Sequence, residues 1–373
     1  MTDLQVSETH GRANGCITLP ARGRVGEAGY HQQMSVRDLL IIGAGPSGLS
    51  AAIAAKQHQL DDQVVERGVL VNSIFNFPPQ MVFFTTPELL EIGRLPFVSP
   101  FEKPTRVEAL KYYRKVVEAF ELQISFEEKV LSVERELQPG GEPDAESSAV
   151  FVVETRSSRG VHRVRHARNV IFAIGYYDAA NLLNVPGEDL PHVHHYYSEP
   201  HPYYRRRVVI VGGGNSAAEW ALDLFRSGAH VTLVHRHPEL KKTIKYWVKP
   251  DIENRIKEGS VAARFNSCVT EIRPTSVIIT SAGSSGQEEL PADAVFLLVG
   301  YHTDWDLMER AGIALGDTNV PQYDPETFET NVPGLFLAGG AICGRDTSNI
   351  FIENGRFHGE KIIATIAGRL QAN

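Results

Sequence analysis

The sequence predicts an α/β protein made of two three-layer units, the second inserted into the first. Three observations carry that prediction. A short apolar strand followed by a glycine-rich turn and a helix occurs twice, at 38–66 and at 208–236. Each copy ends in a second strand, so each reads as one βαβ unit, repeated within the chain. After the second unit two more buried apolar strands follow, at 295–300 and, near the C-terminus, at 334–340.

In chain order, Asp38-Leu39-Leu40-Ile41-Ile42 is the first strand and Gly43-Ala44-Gly45-Pro46-Ser47-Gly48 the turn. Leu49, Ala52 and Ile53 mark one face of the helix that follows, and Val64-Val65-Glu66 closes the unit. Alternating runs such as Val150-Phe151-Val152-Val153-Glu154-Thr155 predict antiparallel strands, with 138–148 as a loose hairpin. The stretch 174–202, with Pro186, Pro191, Pro200 and Pro202, reads as a connector outside any sheet. The second unit runs Val208-Val209-Ile210-Val211, then Gly212-Gly213-Gly214-Asn215-Ser216-Ala217. In its helix Ala217, Trp220, Ala221 and Leu224 recur at helical spacing, and Gly228 suits the position just past the end. Val231-Thr232-Leu233-Val234 is the next strand, 295–300 another, and 355–370 the last helix.

Composition narrows the function. Among 373 residues, 37 Lys plus Arg face 45 Asp plus Glu, a net charge of −8, and the longest like-charge block is Arg205-Arg206-Arg207. Such a chain offers no footprint for nucleic acid or for an anionic membrane surface. The uncharged run 39–55 approaches spanning length, but Gly43, Gly45, Pro46 and Gly48 break it. Three scattered cysteines, Cys16, Cys268 and Cys343, argue against a disulfide framework and for a reducing cytoplasm, and no CxxC occurs. Residues 1–33 are expected to be a disordered arm, with Met34 standing just ahead of the first strand.

Glycines in such a turn let the backbone approach a pyrophosphate, while the helix behind supplies unpaired N–H groups and a positive dipole end. Each turn is followed, 23 or 24 positions after its first glycine, by a polar residue where a ribose would lie. Glu66 offers a carboxylate to two ribose hydroxyls, which suits the adenosine half of FAD. His235-Arg236 offers a cation, with Lys241, Lys242 and Lys245 close behind, that suits a 2′-phosphate, hence NADPH over NADH, and Arg236 is the better candidate.

These residues resemble the two-dinucleotide-domain flavoproteins of the thioredoxin reductase type from residue 34 to the C-terminus. Longer strings, 71–78, 90–93, 175–178, 185–191 and 350–359, are similar to the bacillithiol disulfide reductases. The resemblance implies two Rossmann-like dinucleotide-binding domains, with FAD bound by 34–175 and 301–373 and NADPH by the inserted 176–300. It implies that Gly43, Gly45, Pro46, Ser47, Gly48, Glu66, Asn72, Gly175 and Gly340 line the FAD site. It implies that Gly212, Gly214, Asn215, Ser216, Arg236 and Lys245 hold NADPH, and that the enzyme is a homodimer.

Departures from the pattern set the remaining expectations. Ser198-Glu199-Pro200-His201 stands where thioredoxin reductases carry their CxxC, so a dithiol shuttle is excluded. Gly340 replaces their acidic residue beside the flavin, and Ser47 replaces the cysteine usual in the bacillithiol branch. Cys343 reads as a small buried thiol, Cys268 as packing in an alternating strand, and His194, His195 and His201 as connector residues rather than metal ligands. The expected function is hydride transfer from NADPH to FAD and on to a small acceptor such as bacillithiol disulfide. A flavin monooxygenase and a redox sensor or electron-transfer flavoprotein that acts on a protein partner are the alternatives.

Overall fold

The computed structural model describes residues 35–137, 149–283 and 286–372, so the expected arm 1–33 and the hairpin loop 138–148 lie outside the described residues. Seven strands form the first sheet. Val36–Ile42 lies between Asp62–Val65 and His162–Phe172, parallel to both, and Ile124–Ser125 extends one edge. The 11 residues of His162–Phe172 serve two partners on their far side. Ala149–Ser157 runs antiparallel to the first part and to Glu128–Leu137 at the edge beyond it, and Leu335–Leu337 pairs in parallel with Val170, Ile171 and Phe172. The C-terminal strand therefore returns to the sheet begun at residue 36, as an insertion requires.

The second sheet has five strands, all parallel: Ala262–Arg264, His230–Val234, Arg207–Val211, Ala294–Leu297 and Val193–His194. Alternation along Arg207–Val211 builds a core on each face. Val208 and Ile210 pack with Ala217, Ala221 and Leu224 of the helix Asn215–Arg226, while Val209 and Val211 pack with Ile272, Val277 and Ile279. Those last residues belong to a three-stranded antiparallel sheet, Ser267–Arg273, Ser276–Ser281 and Gln287–Pro291, which supplies the third layer.

Three expectations need correcting. The stretch 174–202 does enter sheets: Val193–His194 forms an edge of the five-stranded sheet, and Ala179–Ala180 pairs antiparallel with Tyr301–His302. Two-residue pairings leave no periodicity to read, and the prolines flank them rather than interrupt them. Cys268 lies in the expected strand but is exposed, because Ser267 and Val269 take the buried side. The last helix begins at His358, after a separate turn Ile352–Gly355, since Gly355 brings its backbone against Gly339. Gly228, by contrast, is left-handed at φ +85° just past its helix, as expected.

Candidate cofactor sites at two glycine turns

The three glycines of the first turn do three different jobs. Gly43 sits at φ +109°, and a Cβ there would fall on the Ala173 carbonyl of the neighbouring strand end. A Cβ on Gly48 would fall on the Gly43 carbonyl, so this glycine sets how closely helix and turn pack. A Cβ on Gly45 would meet nothing, which leaves its face open to a ligand. The helix Pro46–Gln57 starts there with Pro46 in its first turn and no side chain capping it. Its first N–H groups have no intrahelical partner and point out of that open face.

Glu66 closes the back of this site. It is 6% exposed; one carboxylate oxygen accepts the Ala44 N–H at 2.7 Å and the other the Gly68 N–H at 2.8 Å. Burial raises its pKa while both backbone bonds pull it down. Asn72 donates to Asp178 at 3.3 Å and Arg67 pairs with Asp178 at 3.1 Å, so the first unit is tied to the segment after Gly175. Gly175 is itself left-handed at φ +63° with open space where a Cβ would stand. An uncapped helix start, an open glycine face and a buried carboxylate at the strand end fit FAD. Asp178 and Arg67 escaped sequence reasoning because single charged residues outside the glycine motif give no local signal.

The C-terminal segment forms the remaining wall. Gly339 is left-handed at φ +61°, with Ser47 Oγ occupying the space of its missing side chain. A Cβ on Gly340 would lie 2.6 Å from the Tyr176 ring, so that ring takes up the room an acidic side chain would need. Burial pushes the Tyr176 hydroxyl up to about 12 and the Cys343 thiol up to about 11. Cys343, 5% exposed, is therefore a protonated thiol at neutral pH and a poor nucleophile. Among the described residues no group of three or more His, Cys, Asp or Glu is placed to hold a metal ion, and no helix is long and apolar enough to cross a membrane.

The second turn repeats the design with a different finish. Gly212, at φ +151°, packs against the Leu298 carbonyl, and Gly214 faces open space with only Lys241 at 3.8 Å. The helix Asn215–Arg226 is again uncapped by any side chain. Gly213 is a glycine because the His235 ring occupies the space of its Cβ. Of the pair His235-Arg236, His235 is 6% exposed, and burial together with His237, Arg236 and Lys241 lowers its pKa, which leaves Arg236 as the cation of the pair. Arg236 is exposed and donates from Nε to His237 Nε2 at 3.3 Å. Asn215 spends its amide on the loop behind it, donating to the Thr243 carbonyl at 3.3 Å and accepting the Lys245 N–H at 2.9 Å. The Lys245 ammonium pairs with Glu219 at 2.6 Å and lies 4.6 Å over the Phe84 ring. The open helix start with Arg236 on its rim fits a nicotinamide dinucleotide; Lys245 and Asn215 shape the loop beside it.

Comparison with known proteins agrees with this geometry. The chain is 41% identical over 334 residues to bacilliredoxin reductase Bdr of Bacillus subtilis, covering 88% of this chain and 97% of that one. It superposes on bacillithiol disulfide reductase Bdr (YpdA) of Bacillus cereus with a TM-score of 0.84 at 38% identity, covering 90% and 100% of the two chains. The corresponding protein of Staphylococcus aureus gives 0.81 at 36% identity, covering 90% and 99%. The match to the family of pyridine nucleotide-disulphide oxidoreductases runs over residues 40–339. The chain belongs to that family, as a flavin-dependent oxidoreductase that takes FAD and a nicotinamide coenzyme.

Proposed function

We propose that the protein is an NADPH-dependent FAD enzyme that reduces a low-molecular-weight disulfide of the bacillithiol type. The observation that carries this reading is the 41% identity, over nearly the whole length, to a protein named for reducing bacilliredoxin, joined to structures named as bacillithiol disulfide reductases. FAD, when bound, accepts hydride from the nicotinamide and supplies the electron pair that opens a disulfide. The chain provides binding and orientation: Gly43, Gly45, Pro46, Ser47, Gly48, Glu66, Asn72, Gly175 and Gly340 for FAD. Gly212, Gly214, Asn215, Ser216, Arg236 and Lys245 serve NADPH, with Arg236 selecting the 2′-phosphate. The FAD domain is taken as 34–175 with 301–373 and the NADPH domain as 176–300. No covalent thiol step is assigned, since Ser47 stands at the head of the first helix and Cys343 is held protonated. A homodimer is carried over from the family resemblance alone, and three scattered cysteines support a reducing cytoplasm as the working compartment.

Anaerobic titration with NADPH, followed by a panel of acceptors, tests the reading. One FAD per chain should bleach with one equivalent of NADPH, and bacillithiol disulfide should reoxidise it faster than quinones, ferredoxin or oxygen. Rapid bleaching without turnover on any small disulfide would shift the reading to a redox sensor or electron carrier.

A further inference from the structure

His358 opens the C-terminal helix and is 9% exposed. Its Nδ1 accepts the Gly339 N–H at 3.1 Å, so the ring is neutral and carries its proton on Nε2. Burial, assisted by Lys361, holds its pKa down to about 4, which keeps that acceptor available at neutral pH. Phe328 stacks on the imidazole at 4.2 Å and Tyr323 on Phe328 at 6.0 Å, with the Lys361 ammonium 5.7 Å over the Phe328 ring. The ring is therefore locked in one orientation with its acceptor aimed at a backbone amide.

That amide belongs to the turn Gly339–Ile342, which is pressed from two other directions. Ser47, in the first turn of the helix Pro46–Gln57, fills the space beside Gly339. Gly355 approaches so closely that a Cβ on it would lie 3.1 Å from the Gly339 Cα. A glycine turn has little conformational preference of its own, so its geometry is set by what holds it. The turn closes one backbone bond of its own, from the Cys343 N–H to the Gly340 carbonyl at 3.1 Å; of the three contacts on Gly339 from outside, the directional one is the hydrogen bond to His358 and the other two are steric.

We propose that His358 is a positioning residue for the flavin site: by accepting the Gly339 N–H it fixes the Gly339–Ile342 turn against the start of the first glycine helix. The inference rests on the reading that this turn borders bound FAD. It assigns a role to a residue far from either glycine motif, acting through the backbone and not through contact with the cofactor.

The test compares His358→Asn, whose amide oxygen can replace the acceptor, with His358→Phe, which can keep the stack on Phe328 and has no acceptor. The holoprotein is read by FAD dissociation constant and by the visible absorption and fluorescence of the bound flavin. His358→Phe should weaken FAD binding by about tenfold, the cost of leaving one buried N–H unpaired, and shift the flavin spectrum. His358→Asn should stay within about threefold of wild type with an unshifted spectrum. Phe328→Leu, which loosens the stack and keeps the acceptor, should lower thermal stability and spare FAD affinity. If His358→Phe does not fold, His358→Leu takes its place. The proposal is overturned if Asn and Phe at 358 behave alike, if the acceptor-free variant keeps wild-type affinity and spectrum, or if Phe328→Leu loosens FAD as much as His358→Phe. Wild-type protein that takes up no FAD would instead overturn the cofactor reading itself.

Discussion

The two glycine turns are built alike and finished differently. At the first, distant parts of the chain close in: Gly43 on the Ala173 carbonyl, Ser47 on Gly339, and a buried Glu66 that accepts two backbone N–H groups. At the second, Gly212 meets the Leu298 carbonyl as Gly43 meets that of Ala173, but Gly214 faces the Lys241 stem and the strand ends in an exposed Arg236 beside a buried His235. A site walled by segments far apart in sequence suits a group that stays through turnover, because releasing it would require several segments to part. A site rimmed by an exposed cation suits a coenzyme that enters and leaves in each cycle.

The largest contrast comes from putting a methyl group at the packed first glycine of one turn and at the open third-position glycine of the other. Gly43→Ala combines a left-handed φ with a clash against backbone that cannot swing aside, and should cost about 3 kcal/mol or more in stability. The flavin should be lost with it. At Gly214 the backbone is extended, φ −102° and ψ −166°, and the space is open, so Gly214→Ala should change stability by less than about 1 kcal/mol. It should weaken NADPH, because the methyl group sits over the helix start. Denaturant unfolding with flavin quantitation reads both, and equal losses of stability would mean that Gly214 is packed as tightly as Gly43.

Acid should act on the first site through His358. His358 titrates near 4 in the folded protein against 6.5 in a free side chain, so the unfolded state binds more protons between those values. The stability that His358 contributes is present above about pH 6.5 and is lost as pH falls through about 4, to a limit of roughly 3 kcal/mol. Unfolding free energies of wild type and His358→Asn, measured from pH 7 to pH 4, should converge as the acid side is approached. Parallel curves would show that the imidazole is neutral for no stabilising reason.

Arg236 and Lys245 sharpen the account of the open site. Arg236→Ala should raise the NADPH KM by about ten- to a hundredfold and leave that for NADH nearly unchanged, the worth of one charge-assisted arginine–phosphate contact. Lys245 is committed to Glu219 and to the Phe84 ring, so Lys245→Ala should weaken both coenzymes alike, by about threefold, through the loop it anchors. Steady-state kinetics with the two coenzymes separates the two roles. A phosphate-selective effect at Lys245 would mean that its ammonium leaves Glu219 when NADPH binds.

Both glycine turns were legible in the sequence because each is a contiguous string in which strand, turn and helix follow at fixed spacing. The strand Leu335–Leu337 was legible as an apolar run bounded by glycines, and its return to the first sheet was expected from the family resemblance. What escaped depends on pairing between distant residues. Val193–His194 looks like a loop until Ala294–Leu297 stands beside it, and Asp178 acquires a role only when Asn72 and Arg67 arrive from 106 and 111 positions away. The sequence could not show how differently the pair His235-Arg236 is placed: His235 packs under Gly213, where burial lowers its pKa, while Arg236 stays exposed.

The smallest expected effect concerns Ser47, where the sequence departs from the bacillithiol branch. A cysteine at the head of a helix would have its thiolate stabilised by unpaired N–H groups. Serine keeps the hydrogen bonding without the sulfur chemistry, and its Oγ faces Gly339, with Gly355 beyond. A hydroxyl cannot form a mixed disulfide, and neither described cysteine is placed to substitute: Cys268 is exposed in the antiparallel sheet and Cys343 is held protonated by burial. Hydride transfer needs the nicotinamide and flavin to meet and does not need a thiol. Ser47→Ala should therefore leave both flavin reduction by NADPH and steady turnover of bacillithiol disulfide within about twofold, a change below 0.5 kcal/mol by the usual conversion of roughly 1.4 kcal/mol per tenfold. Rapid-reaction and steady-state measurements on wild type, Ser47→Ala and Ser47→Cys decide the matter. Disulfide turnover that Ser47→Ala abolishes while FAD stays bound would place the hydroxyl in the chemistry, and the closed first site would then be more than a holder of its cofactor.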